Sequence, residues 1–532
     1  MLNDKPVKKL FAEYLKTPEA KILQGNFQLS NAPELLKIMK NSADPGHFLE
    51  LVMDYCDKSQ RKGEGTFYTP GIVAEKMFHR ALEVFIKNNP DPESLFNIKV
   101  LDPACGSGEF ILAALKVLLE IFSRMKPDIP IEKLLYYIIN NNLYGIDCNS
   151  NGIELLLKRL NIYGKVAEDH FIIRDVLEFS DAANCFGNNL KFDIVIGNPP
   201  YVSYGLRNVG KLEKKRSTEL RKRFPFSAEY KITLYALFIE FAIKSTAENG
   251  VHSFIVPDSF LCGQYFTKLR NFMLKNSSFE YFYLIRQKLF KAVPGSLVIY
   301  IVSKKPPFST KTFRSAELIE QSDFYLPEDG YNMLQSEFSE NHRQRFRLFF
   351  NGKIHNIVKN LENNSVCKLS DLLEISSGLI AKNGKFSIIS DTPRADGIWK
   401  PGLITGKEIS VDGTVIYHGK FINCDPSMIK SGLKNIDYSK PKILIRQTGD
   451  RVISAVDRNG LVVLNNIHVG IAKQPGIDLE RLSEYLNSNE MLTYYQAVTL
   501  EANRPMAQTD LETLRELPIK EYFIKSLCSQ CG

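Results

Sequence analysis

No apolar run in this sequence approaches the length of a membrane-spanning helix, which needs about 20 residues. The N-terminal stretch MLNDKPVKKLFAEYLKTPEAK also lacks the apolar core of a secretory signal peptide. Both absences argue against the membrane and secreted classes of protein. We therefore expect a cytoplasmic protein with no membrane partner.

Cysteine pairs and the common nucleotide-binding motifs are scarce as well. The nine cysteines are scattered, and only Cys528 and Cys531 form a CxxC pair, without a second pair or neighbouring histidines. The full GxGxxG of dinucleotide-binding folds and the GxxxxGK(S/T) phosphate loop are also missing. We therefore predict no metal site, and NAD and ATP are poor candidates for a ligand.

The length and composition set limits on the number of domains. The chain has 532 residues, too many for one core and enough for two or three domains. Apolar residues make up 44% and charged residues 24% of the chain, as is ordinary for a globular protein. A net charge of +8 permits a polyanionic partner but does not require one. The function has to be argued from motifs.

The strongest motif lies at residues 191–201 (KFDIVIGNPPY). Residues 192–196 form an apolar run broken by one acid, which predicts a buried strand of a parallel sheet. The two prolines after Asn198 fix their own φ and restrict the residue before them, so a stiff loop is predicted to follow the strand. Ligands of open α/β sheets bind outside the carboxyl ends of strands. A proline-rich turn that merely closes a strand is the alternative.

A glycine-containing turn follows an earlier predicted strand, within residues 98–110 (IKVLDPACGSGEF). The order of strand, glycine loop and helix is typical of the start of a doubly wound domain. Gly106 and Gly108 would allow the backbone to approach a ligand closely.

Two more predicted strands, LYGID and HFIIRD, end in Asp147 and Asp175. An acid at the tip of the second strand is the usual partner of ribose hydroxyls in such folds. Either acid alone could equally be a helix cap or a solvated turn residue. Four successive predicted strands thus end in polar elements, namely the glycine loop, Asp147, Asp175 and the loop at Asn198. Such a row at one edge of one sheet favours a ligand site.

Two further stretches flank these strands. Thr69 is a predicted N-cap, with Pro70 at the first helical position, of a helix that would line the ligand pocket. The segment 204–230 is basic, and such a run is usually a solvated helix face. Because it directly follows the predicted loop at residues 198–201, we predict that it contacts phosphates.

Composition and pattern divide the chain into five parts: a helical N-terminal extension (1–60), an α/β domain (61–307), a polar, loop-like linker or crossing segment (308–365), a second domain (366–520) and a tail (521–532). The α/β domain ends in a predicted hairpin, YFYLIRQKLFKAVPGSLVIYIVSKKPP. The second domain has short predicted strands and two closing helices, DLERLSEYLNSNEMLTYYQAV and QTDLETLREL.

The strand tips carry no Ser/His/Asp relay, no metal-ligand cluster and no nucleophilic cysteine on the candidate loop. We therefore expect the protein to transfer a group from a bound donor, by positioning the reactants and by electrostatics. The Asn198 side-chain oxygen and the Pro199 carbonyl form a pair of acceptors suited to an NH2 group. An aryl amine held in this way would aim its lone pair at an electrophilic methyl, and Tyr201 would stack on the base.

The ordered set TP, DPACGSGEF, YGID, RD and GNPPY resembles the gamma-class, TaqI-like DNA adenine-N6 methyltransferases over about residues 60–305. This family has an N-terminal catalytic domain and a C-terminal target-recognition domain. The resemblance implies a Rossmann-like methyltransferase domain with a mixed, mostly parallel seven-stranded sheet, followed by an α+β specificity domain. It also implies S-adenosyl-methionine as the donor and a flipped adenine of double-stranded DNA as the acceptor.

The resemblance also implies roles for individual residues. The implied donor contacts are Thr69, Pro70, Asp102, Ala104, Gly106, Asp147, Asp175 and Asn198. The implied catalytic set is Asn198, Pro199 and Tyr201, and Tyr201 and Phe290 would stack on the target base. Asp147 departs from the glutamate that is commoner in the family, although either carboxylate can accept from ribose hydroxyls.

The second domain resembles the specificity domains of restriction–modification proteins. Residues of types that read base edges or contact phosphates there include Arg446 and Arg504. The full predicted DNA-binding set is Lys211, Lys214, Lys215, Arg216, Arg446 and Arg504. The expected partner is double-stranded DNA, and the chain is either the companion of a cognate restriction endonuclease or a solitary epigenetic methylase. We expect a monomer that is associated with the nucleoid in a prokaryotic cytoplasm. The alternatives are an RNA or protein (glutamine) methyltransferase, or a DNA-binding modification subunit that needs a partner.

Overall fold

The structure is a computed structural model, and it describes residues 69–187, 189–204, 212–286, 295–319, 324–432, 436–502, 504 and 507–521. The chain separates into two compact units, Met1–Phe346 and Arg347–Gly532. The helical extension predicted for residues 1–60 lies outside the described residues.

The first unit alternates strands and helices along the part of the chain that is described. Its strands are β1 (Val100–Asp102), β2 (Leu143–Asp147), β3 (Phe171–Ile173), β4 (Phe192–Gly197), β5 (Thr246–Pro257), β6 (Ser278–Ile285), β7 (Leu297–Ser303), β8 (Thr312–Leu318) and β9 (Tyr331–Leu334). Its α-helices are α1 (Gly71–Asn88), α2 (Pro92–Phe96), α3 (Glu109–Met125), α4 (Ile131–Tyr137), α5 (Ser150–Asn161), α6 (Ala182–Phe186), α7 (Lys214–Arg223), α8 (Leu234–Ser245), α9 (Ser259–Cys262), α10 (Thr267–Asn276) and α11 (Glu337–Glu340). Short 3-10 or π-helical turns occupy Ile138–Asn142, Glu168–His170, Val176–Glu178, Gln264–Phe266 and His342–Gln344.

These strands form a nine-stranded sheet among the described residues, in the order β3-β2-β1-β4-β5-β7-β6-β8-β9. The first five strands of that order are parallel, β7 lies antiparallel between β5 and β6, β8 is parallel to β6, and β9 is antiparallel to β8. The predicted mixed, mostly parallel α/β sheet is therefore confirmed, as is the antiparallel pairing of the hairpin strands β6 and β7.

The sheet has two more strands than the seven predicted, and β8 and β9 are the strands at its far edge. Both lie within residues 308–365, so the prediction of a loop-like segment is wrong there. The physical reason is visible in β8, whose residues are buried and exposed in near alternation. A strand with one solvent-exposed face contains enough polar residues to resemble a loop in composition.

The core explains why β4 forms where it does. Every residue of this strand is buried except Asp193, whose carboxylate accepts a hydrogen bond from the Lys99 backbone N–H at 2.8 Å. Ile194 and Ile196 belong to the hydrophobic cluster that includes the buried side chains of α1 and α3. A strand covered on both faces has to be apolar almost throughout, which is why its sequence pattern was readable.

The second unit is rich in short strands. Its strands are β10 (Ser365–Lys368), β11 (Leu373–Ser377), β12 (Ile380–Ala381), β13 (Ile389–Ser390), β14 (Trp399–Leu403), β15 (Phe421–Asn423), β16 (Ile429–Ser431), β17 (Lys442–Arg446), β18 (Ser454–Asp457), β19 (Val462–Val463), β20 (Ile467–Ala472) and β21 (Pro518–Lys520). They form the described sheets β11-β20-β17-β18, β13-β15-β14-β19, β12-β16 and β10-β21. The helices of this unit are α12 (Gly352–Asn363), α13 (Leu369–Leu372), α14 (Leu479–Leu486), α15 (Asn489–Thr499) and α16 (Leu511–Arg515), with 3-10 turns at Lys385–Ile388 and Gly406–Glu408.

The first of the two predicted closing helices is in fact two helices, α14 and α15. The chain breaks at Ser488, whose side chain accepts from the Met491 backbone N–H at 3.2 Å and so caps α15. Serine competes with helix continuation in this way because its hydroxyl can satisfy the first free N–H groups of a new helix.

The described residues contain neither a candidate membrane span nor a candidate metal site. No helix there is both long enough and apolar enough to cross a bilayer. No group of three or more His, Cys, Asp or Glu side chains in the same part of the chain is arranged to hold a metal ion.

Candidate functional site

The polar strand tips meet at one edge of the large sheet. Strands β3, β2, β1 and β4 are neighbours and run parallel, so their carboxyl ends lie side by side. Asp102 and Asp147 are the last residues of β1 and β2, and Asn198 directly follows β4. The structure thus brings together residues that are far apart in the sequence.

The glycine loop between β1 and α3 needs its glycines. Gly106 and Gly108 have φ angles of +49° and +95°, in the left-handed region that side chains disfavour. A Cβ on Gly108 would lie 2.2 Å from Leu156 Cδ1, whereas a Cβ on Gly106 would meet no described atom within 4 Å. The Gly106 N–H donates to Asp147 Oδ2 at 2.8 Å, which fixes the loop against the tip of β2. One side of the loop is therefore anchored, while the Cβ direction of Gly106 points into clear space.

Asp102 is a buried acid, only 1% exposed, under this loop. Its Oδ1 accepts from the Ala104 N–H at 3.0 Å. Burial raises the pKa of Asp102 to about 8, the Ala104 hydrogen bond opposes that rise, and the neighbouring charge of Asp147 adds to it. At neutral pH much of Asp102 is therefore protonated, and its carboxyl group can donate as well as accept a hydrogen bond.

The other two acids accept hydrogen bonds in different surroundings. Asp147 accepts from the Asn149 N–H at 2.8 Å in addition to Gly106. Asp175 accepts from the Leu177 N–H at 2.9 Å and forms an ion pair with Arg216 Nη2 at 2.6 Å. A carboxylate offers about four lone-pair sites, so Asp175 has capacity for a ligand beyond these two bonds.

The loop after β4 is tied to the start of α1. Asn198 Nδ2 donates to Thr69 Oγ1 at 3.0 Å, and Thr69 is only 4% exposed. Because the two ends of an amide lie on opposite sides of Cγ, this bond turns the Asn198 oxygen away from Thr69. The predicted N-cap role of Thr69 is wrong: α1 starts at Gly71, its N-cap is Pro70, and no side chain caps it. The Thr69 hydroxyl serves Asn198 instead.

Tyr201 is held as a fixed wall beside this loop. Its hydroxyl donates to the Ile255 carbonyl at 2.9 Å, and its ring meets Tyr235 edge-on at 6.4 Å and 87°. Burial, with a smaller contribution from Tyr235, raises the pKa of Tyr201, so the phenol stays neutral. Tyr235 in turn stacks near Phe266, with ring centroids 5.9 Å apart. Sequence reasoning missed these two aromatics, because aromatic residues in apolar segments look like ordinary core.

The predicted DNA-binding residues have varied surroundings. Lys214 and Lys215 are exposed on α7, whereas Arg216 on the same helix contacts Asp175. In the second unit, Arg446 Nε donates to Thr448 Oγ1 at 3.3 Å and Arg504 pairs with Glu501 at 2.6 Å. Lys211 and Phe290 lie outside the described residues.

Comparison with known families supports a two-part assignment. Residues 141–290 match the Eco57I restriction-modification methylase family, and residues 402–519 match the TaqI-like C-terminal specificity domain. The resemblance drawn from the motifs is therefore confirmed at the level of these two domains.

Individual relatives align with only part of their own length. The type II methyltransferase M.HincII of Haemophilus influenzae is 36% identical over 248 residues, covering 46% of this chain and 38% of that protein. The type II restriction enzyme and methyltransferase RM.Eco57I of Escherichia coli is 27% identical over 261 residues, covering 39% and 24%. The chain spans 24% to 55% of the length of the first curated relatives that it matches.

A similar fold occurs in a solved structure, the DrdV–DNA complex determined by cryo-electron microscopy. The TM-score is 0.56 at 12% identity, with 80% of this chain and 52% of that chain covered. At this identity the likeness concerns the fold alone.

Proposed function

We propose that this chain, with its Eco57I-type methylase domain and TaqI-like specificity domain, transfers a methyl group from S-adenosyl-methionine to N6 of a flipped adenine in double-stranded DNA. One observation carries the proposal. The Asn198 amide sits at the carboxyl end of β4, oriented by Thr69, at the sheet edge that also holds Asp102 and Asp147. This arrangement places an oriented hydrogen-bond acceptor at a sheet edge that also carries acidic side chains.

The acceptor pair accounts for the choice of an amine. The Asn198 oxygen and the Pro199 carbonyl can each accept one hydrogen of an exocyclic NH2 group. In free adenine the lone pair of this nitrogen is delocalised into the ring. Holding both hydrogens favours a tetrahedral nitrogen and directs its lone pair toward the electrophilic methyl group of the donor. Tyr201, anchored through Ile255, offers a ring face to the base. Groups that are held in place before the reaction lower the barrier without reorganising during it.

The residues at the sheet edge fit the methyl donor. S-adenosyl-methionine supplies an electrophilic methyl group on a positively charged sulfur. Asp147 and Asp175 are acceptors for its hydroxyl and amino groups, and the clear space at Gly106 admits a ligand against the backbone. Thr69, Pro70, Asp102 and Ala104 complete the proposed contacts. An edge with several carboxyl oxygens suits a ligand that carries N–H and O–H donors.

DNA is the polyanion favoured by the basic surface and by the relatives. Lys214 and Lys215 are exposed on α7, the first described helix after the loop at Asn198. The relatives are named as type II methyltransferases, and the structural neighbour is named as a complex with DNA. A cognate restriction endonuclease is part of the proposal as a cellular partner.

The first test is to offer labelled S-adenosyl-methionine to the full chain with duplex DNA, RNA or bulk protein. We expect the label in the DNA alone, and on N6 of adenine after digestion to nucleosides. Label that appears only in RNA or protein would overturn the proposal. Mapping of modified adenines in host DNA then gives the target sequence for the experiments that follow.

A second prediction concerns the orienting role of Thr69. Thr69→Val keeps the shape but removes the hydroxyl, so the Asn198 amide can turn its NH2 toward the substrate amine. We expect kcat to fall about 10- to 100-fold, the scale of one lost hydrogen bond to a buried group, with a smaller change in the KM for the donor. Thr69→Ser retains the hydroxyl and should restore most of kcat. Equal kcat values for the valine and serine variants would contradict the orienting role.

A further inference from the structure

A surface groove beside the candidate loop contains an unusual exposed aromatic residue. Tyr230 is 70% exposed, more than any other large aromatic in the described part of the first unit. Its ring stacks on Tyr265 with a centroid separation of 5.0 Å and an interplanar angle of 22°. One face of Tyr230 is thus supported by Tyr265, and most of the rest of the side chain meets solvent.

Backbone hydrogen bonds connect the segment that carries Tyr230 to the segment that follows the loop at Asn198. The Tyr204 N–H donates to the Ile232 carbonyl at 2.9 Å, and the Leu234 N–H donates to the Val202 carbonyl at 2.8 Å. The segment that follows Tyr201 is therefore hydrogen-bonded to the segment that follows Tyr230. The aromatic row Tyr201, Tyr235 and Phe266 leads from the loop toward the residues that support Tyr230.

Tyr230 is also held in place rather than merely exposed. Arg221 on α7 donates to the Ala228 carbonyl at 2.7 Å and to the Tyr230 carbonyl at 2.9 Å. The Glu229 carboxylate accepts from the Lys268 backbone N–H at the start of α10. These bonds brace the loop on which the ring stands, so little conformational freedom remains to be lost when a ligand stacks on it.

Positive charge surrounds this ring. Arg221, Lys268 and Arg343 line the groove with Tyr230, and Glu229 is the one acid among the lining residues. Lys231 places its Nζ 5.6 Å from the centroid of the Tyr265 ring. Stacked aromatics interleaved with cations are the chemistry by which proteins hold nucleic-acid strands whose bases are unpaired.

We propose that this groove, which is lined by residues 221, 225, 228–230, 264, 267, 268 and 343, is a nucleic-acid contact surface. The outer face of Tyr230 stacks on a base that has left the duplex, and Lys268 and the adjacent Lys231 contact neighbouring phosphates. The inference rests on the proposed function, since flipping of an adenine disturbs the stacking of the bases next to it. The base that stacks on Tyr230 is then the former pairing partner of the flipped adenine or a base next to it.

The test measures binding of fluorescein-labelled DNA by anisotropy, with the full chain and without a methyl donor. The probes are a paired duplex of mixed sequence, the same duplex with an unpaired bulge, and a single strand. Tyr230→Ala should weaken binding of the bulged and single-stranded probes about tenfold and of the paired duplex much less. Tyr230→Phe should bind as the original chain does, because the stacking face is retained. Lys268→Gln should weaken all probes and lower the slope of log affinity against log salt by about one.

Tyr136→Ala is the matched control, since Tyr136 is 54% exposed on α4 of the same unit and lines no part of the groove. The inference is overturned if Tyr230→Ala and Tyr136→Ala bind every probe with equal affinity. It is also overturned if Tyr230→Phe loses as much affinity as Tyr230→Ala. Failure of the proposed function would look different, because the original chain would then leave all DNA unmethylated whatever its affinity for these probes.

Discussion

Asn198→Ala is expected to remove all but a small fraction of methyl transfer to DNA while leaving the affinity for S-adenosyl-methionine nearly unchanged. The substitution removes one of the two acceptors that hold the substrate amine, and the Pro199 carbonyl alone cannot fix both of its hydrogens. Loss of one group that stabilises the transition state in a preorganised site costs about 10²- to 10³-fold in kcat. Because the amide also bonds to Thr69, the alanine leaves that hydroxyl without this partner and loosens the loop further.

Two measurements separate the possible outcomes. Calorimetry with the donor reports binding, and single-turnover transfer to a mapped target duplex reports chemistry. Asn161→Ala, at the exposed end of α5, is a control that should change neither quantity. Retained turnover in Asn198→Ala would show that the amine-holding role is misassigned. Loss of donor binding in parallel with turnover would instead place the main effect of Asn198 on the donor.

The parts of this site that follow from local pattern could be predicted from the sequence. The buried strand β4 has an almost unbroken apolar run, and the stiff loop after it follows from two consecutive prolines. The glycine loop could also be predicted from local sequence, because Gly106 and Gly108 both adopt the positive φ that glycine allows. In these cases the physical constraint acts within a few residues, so the sequence window contains it.

Other features depend on contacts between distant segments. The bond between Asn198 and Thr69 spans 129 positions, and the ion pair between Asp175 and Arg216 spans 41. Neither pairing has a local signature, and each changes the expected use of a residue: Thr69 is not a helix cap, and Arg216 contacts an acid of the proposed donor site. The edge strands β8 and β9 were missed because an edge strand needs an apolar face on one side only.

Gly197 is required by a contact that its place in the sequence does not reveal. The sequence marks it as the residue that breaks the apolar run before the proline loop. In the structure it is the last residue of β4 and is itself buried. A Cβ at this position would lie 2.5 Å from Asp102 Oδ1 and 3.2 Å from its Cγ. The glycine is needed because the carboxyl group of the neighbouring strand occupies the space of a side chain.

Gly197→Ala is therefore expected to lower both stability and activity. The added methyl group overlaps a buried carboxyl group between two paired strands, and overpacking of this kind costs about 1–3 kcal/mol of unfolding free energy. The displacement acts on Asp102 and on Asn198, the next residue, so methyl transfer should fall by more than the folded fraction does. Urea unfolding and single-turnover transfer on the same samples measure the two effects.

The cause can be isolated with two companion variants. Gly164→Ala is the matched control, since a Cβ there would meet no described atom within 4 Å, and it should leave the free energy of unfolding within about 1 kcal/mol of the original. Asp102→Ala removes the atoms that the new methyl group would strike, so adding Gly197→Ala to it should cost far less than Gly197→Ala costs alone. Activity should stay low in that double variant, because Asp102 belongs to the proposed donor contacts. If the two substitutions instead add without coupling, the space between Gly197 and Asp102 does not explain the glycine.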